Sequence, residues 1–218
     1  MNKKKNEEIA YEKIKRAIML KRLVAGQRVT EDWVSNELEM SRTPIRAAFT
    51  KLENEGLIEL VPHRGAFVCS PSDKELEDVF NLRIVLESYA AELAVHQMTS
   101  EHFQEMDRLL EEEVKAYEDK DYEDFLRINA LIHAYPAQVA GNRFLLQEIQ
   151  RLNQWSDCYL ILRDNFYTTP MDEVLSVPEH LEVVEALKKR DLAASKKAIE
   201  AHMLSTLTDL AERTSIFN

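Results

Sequence analysis

The chain has little in it that breaks a helix. Only four glycines and six prolines stand among 218 residues. The abundant residues are Leu, Glu, Ala and Lys, which lose little freedom in helical backbone, so a mostly helical chain is favoured. Two cysteines, Cys69 and Cys158, make no disulfide framework, and neither has a CxxC partner for zinc. Both read as packing residues. No apolar run approaches the ~20 residues that span a bilayer. The basic start MNKKKNEEIAYEKIKRAI lacks the uncharged stretch and cleavage site of a signal peptide, so the cytoplasm is the expected location. Disorder is not the default either, because 45% of the residues are hydrophobic and 31% charged.

Positive charge is in deficit overall, with a net charge of −11, and an acidic protein should repel nucleic acid. The distribution removes that objection. Residues 1–70 carry 13 Lys and Arg against 10 Asp and Glu, while residues 71–218 carry 15 against 29. Charge is screened within ~8 Å at physiological salt, so a local basic face can meet phosphates on an acidic molecule.

Apolar residues at helical spacing predict a helix over 8–23, closed by Gly26, and a second from Thr30 carrying Trp33, Val34 and Leu38. A third runs from Ser41 to Gly56, with Pro44 in its first turn, where a missing N–H has no helical partner to lose. LIEL and AFVC then flank VPHRG, a β-hairpin pattern. Beyond Ser70-Pro71-Ser72 the pattern is helical throughout. Ser72 with Glu75 suggests a capping box, and amphipathic segments follow at 101–117, 122–140, 143–165, 177–190 and 192–213. Gly141, Pro170 and Pro178 are read as breaks, and the run Glu111-Glu112-Glu113 as a solvated helix face. The expected architecture is mainly α: a winged helix-turn-helix of three helices plus a hairpin over 1–70, then an all-α antiparallel bundle of six or seven helices over 71–218.

In a helix-turn-helix the second motif helix lies in the major groove, its first residues nearest the base edges. Ser41, Arg42, Thr43 and Arg46 occupy that start. Arg42 and Arg46, one turn apart, share a face, and a guanidinium can bond guanine O6 and N7 as a pair. Ser41 and Thr43 suit phosphate or cap roles. His63 and Arg64, beside Gly65 at the hairpin turn, suit an adjacent minor groove. On spacing alone the two arginines read equally well as solvated surface.

The stretch MSRTPIRAAFTKLENEGLIELVPHRGAFV resembles the winged-helix signature of the GntR family of bacterial transcription regulators over some thirty residues. The resemblance implies DNA contacts at Arg42, Thr43, Arg46 and Gly65, flanked by Ser41, His63 and Arg64. Departures fall on packing and turn positions: Ala47-Ala48-Phe49 replaces Glu-Ala-Leu, and Lys21 and Ala25 stand where a Gly and a Pro are usual.

In the second half, Asn129 and His133 are four apart on one helix face, and His180 and His202 each sit on the inner stripe of its own segment. Three imidazoles and an amide oxygen meeting in a bundle suit zinc, nickel or a similar divalent ion. Taken singly, each histidine reads more simply as a hydrogen-bonded core residue. NALIHAYPAQVAGN and EHLEVVEALKKRDLAASKKAIEAHM, however, resemble the FadR-like, FCD-type effector domain. Its metal-binding members carry Asp or Asn, then His four later, then two distant histidines, which implies a metal set of Asn129, His133, His180 and His202. Here Ile132 replaces the usual Phe, and Pro136 interrupts a normally continuous helix, so a kink is expected. The combined expectation is a homodimeric regulator of a pseudo-palindromic operator, modulated by a small carboxylate that completes the metal's coordination and meets Arg83 or Arg163. For Arg83 the competing reading is an ion pair with Glu87. A purely structural metal is the alternative. A metal-dependent hydrolase is disfavoured, because no carboxylate lies at the spacing of HExxH.

Overall fold

In the computed structural model the described residues are 2–163 and 166–212. Backbone contacts divide the chain into two compact units, residues 1–72 with 158–162, and residues 73–157 with 163–218.

The first unit begins with α1 (Asn2–Met19), then β1 (Arg28–Val29), α2 (Glu31–Leu38), α3 (Arg42–Asn54), β2 (Ile58–Val61) and β3 (Gly65–Val68). Thr30 opens α2 as expected, its hydroxyl accepting the Trp33 N–H at 3.2 Å. Pro44 lies in the first turn of α3. Three helices pack through Ile14, Ile18, Val34, Ile45, Phe49 and Leu52, all buried, and α1 lies along α3. Trp33 is 45% exposed, because an eight-residue helix has one short inner stripe and Val34 fills it. The hairpin forms as predicted, with Glu59 facing Phe67 and Leu60 facing Ala66. A third strand, β1, pairs antiparallel with β3, giving the order β1-β3-β2. The wing is therefore a three-stranded sheet.

The second unit holds α4 (Asp73–Ala94), α5 (Ser100–Glu118), α6 (Tyr122–Val139), α7 (Arg143–Arg163) apart from residues 158–162, a single 3-10 turn at Met171–Glu173, α8 (Ser176–Lys188) and α9 (Leu192–Glu212). Helix α4 packs on α6 and α9, α5 on α6 and α8, and α8 on α9. Alanines make close approach possible where Ala90 of α4, Ala134 and Ala137 of α6, and Leu145 and Ile149 of α7 form one buried cluster. Two expectations are corrected. Pro178 lies inside the first turn of α8 rather than at a break, because the N–H it lacks is one that no helix start can use. Glu113 is fully buried, so the acidic run is not a uniformly solvated face. Helix α6 continues through Pro136 to Val139, and Gly141, with φ +66°, takes the left-handed position that follows it.

Candidate metal centre and nucleic-acid interface

Every residue singled out at the winged surface is exposed: Ser41, Arg42, Thr43 and Arg46 at the start of α3, and His63, Arg64 and Gly65 at the hairpin turn. Arg64 N–H donates to Val61 O at 3.0 Å, closing a turn with Pro62 and His63 at its centre. Pro fixes the first central φ, and a positive second φ marks the type II form. His63 holds φ +62° there, and Gly65 follows at φ +98°. Both arginines of α3 are paired with acids at the start of α2. Arg46 donates from Nε to Glu31 Oε1 at 2.9 Å and from Nη2 to Glu31 Oε2 at 2.8 Å, and Arg42 Nε lies 2.5 Å from Asp32 Oδ1. Arg28 of β1 reaches the wing as well, its guanidinium beside Gly65.

In the bundle, three histidines converge. His133 belongs to the α6 stripe with Phe125, Ile128 and Ile132; His180 to the α8 stripe with Val184 and Leu187; His202 to the α9 stripe with Ile199 and Met203. Helical periodicity alone therefore points all three inward. His180 Nε2 stands 3.2 Å from His133 Nε2 and 3.2 Å from His202 Nε2, and one ring nitrogen from each of the three fits within 4.8 Å. Each opposite nitrogen meets a carboxylate: His133 Nδ1 to Glu87 Oε2 at 2.7 Å, His180 Nδ1 to Glu113 at 2.8 and 3.0 Å, His202 Nδ1 to Glu179 Oε2 at 2.8 Å. Glu87 in turn accepts Arg83 Nε at 2.8 Å.

This arrangement passes a simple test for a metal. With the proton on Nδ1, donated to a carboxylate, each ring aims a lone pair from Nε2 at the same point. Three lone pairs face one another with no proton donor between them, which is unfavourable unless a cation fills the space. Zinc–nitrogen bonds of ~2.0–2.1 Å at right-angle to tetrahedral openings put ligand nitrogens ~2.8–3.4 Å apart, which brackets the observed 3.2 Å. The space itself, about 20 Å³, suits an ion or one water. It is walled by Met106, Ile132, Pro136, Val183, Ile199 and Met203. Burial holds His133 and His202 well below the ordinary histidine range, helped by the Arg83 charge in the first case and His180 in the second. Neutral imidazole is the ligand form. Burial raises Glu87, and Arg83 opposes that rise. A bound dication would favour its carboxylate further.

Comparisons with known proteins identify the family. The family model described as FCD domain matches residues 78–205, more than half of the chain. The model for bacterial regulatory proteins of the gntR family matches residues 6–68. The chain belongs to the GntR family of transcription regulators and carries an FCD domain. It is similar to the HTH-type transcriptional regulator YdhC of Bacillus subtilis, 27% identical over 193 residues, covering 88% of this chain and 85% of that one. It is also similar to the HTH-type transcriptional repressor RspR of Escherichia coli, 28% identical over 198 residues, covering 91% and 85%. Among solved structures, E. coli McbR/YncC superposes with a TM-score of 0.72 at 20% identity, over 96% of this chain and 99% of that one, a likeness of fold. Membership of the family makes this chain a regulator rather than an enzyme.

Within the FCD domain three of the four expected ligands are brought together. Asn129 is buried one turn before His133 on α6. Arg83 is buried and bonded to Glu87, and its Nη2 has no hydrogen-bond partner among the described residues. Arg163 pairs with Asp73 at 2.6 Å, and neither arginine is among the residues lining the cavity. Sequence reasoning named Glu87 only as the partner of Arg83, a pair that forms, and missed Glu113 and Glu179. Glu113 could have been found, because it continues the stripe of Met106, Leu109 and Leu110 at helical spacing. Glu179 stands beside His180 in sequence, but adjacent helical residues point about 100° apart, and it meets His202 instead. No helix among the described residues is long and apolar enough to cross a membrane.

Proposed function

We propose that the FCD domain holds one divalent transition metal, zinc or nickel, on His133, His180 and His202, with the Asn129 amide oxygen as fourth protein ligand. The observation that carries this is the convergence of three Nε2 atoms, each backed by a carboxylate on Nδ1. Three glutamates and Arg83 leave two negative charges around the site, the complement of a dication. Metal analysis of the full chain tests it: about one equivalent per chain is expected, and near zero for His180→Ala.

The winged surface of Ser41, Arg42, Thr43, Arg46, His63, Arg64 and Gly65 binds a double-stranded operator, its helix start reading base edges and its wing tip lying along the minor groove. Two copies bind a pseudo-palindromic site, each half-site adding to the other's affinity. Leu82, Val85 and Tyr89, exposed at i, i+3 and i+7 on α4, give that homodimer an apolar face.

A small carboxylate effector joining the metal's open positions modulates DNA binding, with Arg83 or Arg163 as its counter-cation. A coupling of ~1–3 kcal/mol between effector and operator suffices, and DNA must weaken the effector equally. The small cavity and the engagement of Arg83 with Glu87 favour a second reading, a purely structural metal. A carboxylate panel in a thermal-shift assay separates the two. Under the first reading one compound stabilises the protein only when metal is present; under the second none does.

A further inference from the structure

The arginines proposed to read DNA are paired with acids. Glu31 and Asp32 open α2 and face Arg46 and Arg42, so two positive and two negative charges cancel at the tip of the recognition helix. For a plain electrostatic grip on DNA this is a poor arrangement, since each acid opposes phosphate neutralisation. Nor does it serve stability. The Arg46 side chain is 68% exposed and that of Glu31 30%, and pairs so open contribute little. The arrangement needs another explanation, and the atoms involved supply one.

Arginine presents five N–H donors in a rigid planar fork. Glu31 occupies Nε and one hydrogen of Nη2. Of the three remaining donors, one on Nη1 and one on Nη2 form the end-on edge of the same plane. No acceptor among the described residues meets Nη1 of Arg46. That free edge carries two parallel N–H bonds, the pattern that guanine O6 and N7 accept in the major groove. The bidentate carboxylate biases the guanidinium toward one orientation before DNA arrives and disfavours those in which it swings to a phosphate. Glu31 is itself fixed, at the first turn of α2 behind the Thr30 cap, where backbone N–H groups favour negative charge. Arg46 holds the Glu31 carboxyl below the usual carboxylate range, so the pair is charged at neutral pH.

We infer that Glu31 is a specificity-determining positioning residue: its bidentate bond to Arg46 aims the free edge of that guanidinium at a single guanine and withholds it from the phosphate backbone. This rests on the reading of Arg46 as a base-contacting residue. It assigns to an acid on the neighbouring helix a role in sequence choice, one that a census of DNA-facing positive charge would count as a defect.

The test uses the full chain and duplexes it enriches from a randomised pool, scored against single-base-pair substitutions of the enriched sequence and against a scrambled duplex. Arg46→Ala should flatten preference at one base pair in each half-site. Glu31→Gln keeps the shape but removes the charge and one acceptor. It should lower preference at that same base pair on the order of tenfold, raise affinity for the scrambled duplex, and steepen the salt dependence by about one phosphate contact. Glu31→Ala should do the same more strongly. In an Arg46→Ala background Glu31→Gln should change base preference no further. A brake that merely competes with DNA would raise both affinities by one factor with preference intact. A purely structural role would lower both together along with thermal stability. Either outcome overturns the inference while leaving Arg46 a reader. Unchanged preference in Arg46→Ala would instead remove Arg46 from the readout, and the role of Glu31 with it.

Discussion

Replacing Glu113 by Gln isolates what the carboxylate behind a ligand does for the metal. Glu113 has no exposed surface, and its carboxylate meets His180 Nδ1 at 2.8 and 3.0 Å. Gln preserves the volume and can still accept the imidazole N–H through its oxygen, but it takes one negative charge out of a dry chamber. It also lowers the basicity of the ring. Loss of such a partner typically weakens metal binding 10- to 100-fold, or ~1.4–2.7 kcal/mol. The same numbers set the thermal readout. At a free metal concentration 100 times the original dissociation constant, binding adds about 2.7 kcal/mol to the unmodified chain. It would add only ~1.4 to ~0.4 kcal/mol to the variant. Chelator competition gives the affinity, and melting with and without metal gives the increment. An unchanged dissociation constant in a folded Glu113→Gln protein would refute the argument that the carboxylates tune the imidazoles. It would make Glu113 a mere acceptor for a buried N–H.

Two further predictions test the rest of the bundle. Val85→Asp places a charge at the centre of the exposed α4 stripe, where the side chain is 62% accessible in the single chain. Helicity should be unchanged while dimer dissociation rises ~100-fold or more, because the charge would be buried without a partner; sedimentation at micromolar protein checks it. In the metal-free protein, stability should fall as pH drops below about 6.5. His133 and His202 have depressed folded values, so the unfolded chain takes up their protons first, and each group contributes up to ~1.4 kcal/mol per pH unit. Glu87, raised by burial, acts with the opposite sign near the carboxylate range and offsets a part. Melting temperatures that stay level from pH 7 to 5 would contradict the neutral, buried imidazoles.

Local signals made much of this architecture readable. Pro44 inside the first turn of α3, the Thr30 cap and Gly65 in the hairpin each constrain backbone within a few residues, and the hairpin, α2 and α3 formed as expected, whereas α1 spans Asn2–Met19 rather than 8–23. Strand β1 was not readable, since two residues, Arg28 and Val29, carry no alternation. The inward placement of each histidine was legible from 3.6-residue periodicity, and the resemblance to the FCD-type domain was what joined them into one set. The carboxylates were overlooked: Glu113 continues the apolar stripe of Met106, Leu109 and Leu110, but its partner His180 is 67 positions away, and Glu113 lies in an acidic run. Its two acidic neighbours made the run look like solvated surface. The acid–arginine pairs between α2 and α3 are hidden for the same reason: charge patterns along the chain do not reveal which residues face one another across a helix crossing.

The most direct measurement is native mass spectrometry of the full chain with its metal content intact. One divalent ion per chain, retained until acid or chelator removes it and absent from His133→Ala, His180→Ala and His202→Ala alike, is the expected result. A chain that folds and melts identically with and without divalent metals, and retains none of them in its native mass, would contradict the account of the three converging imidazoles.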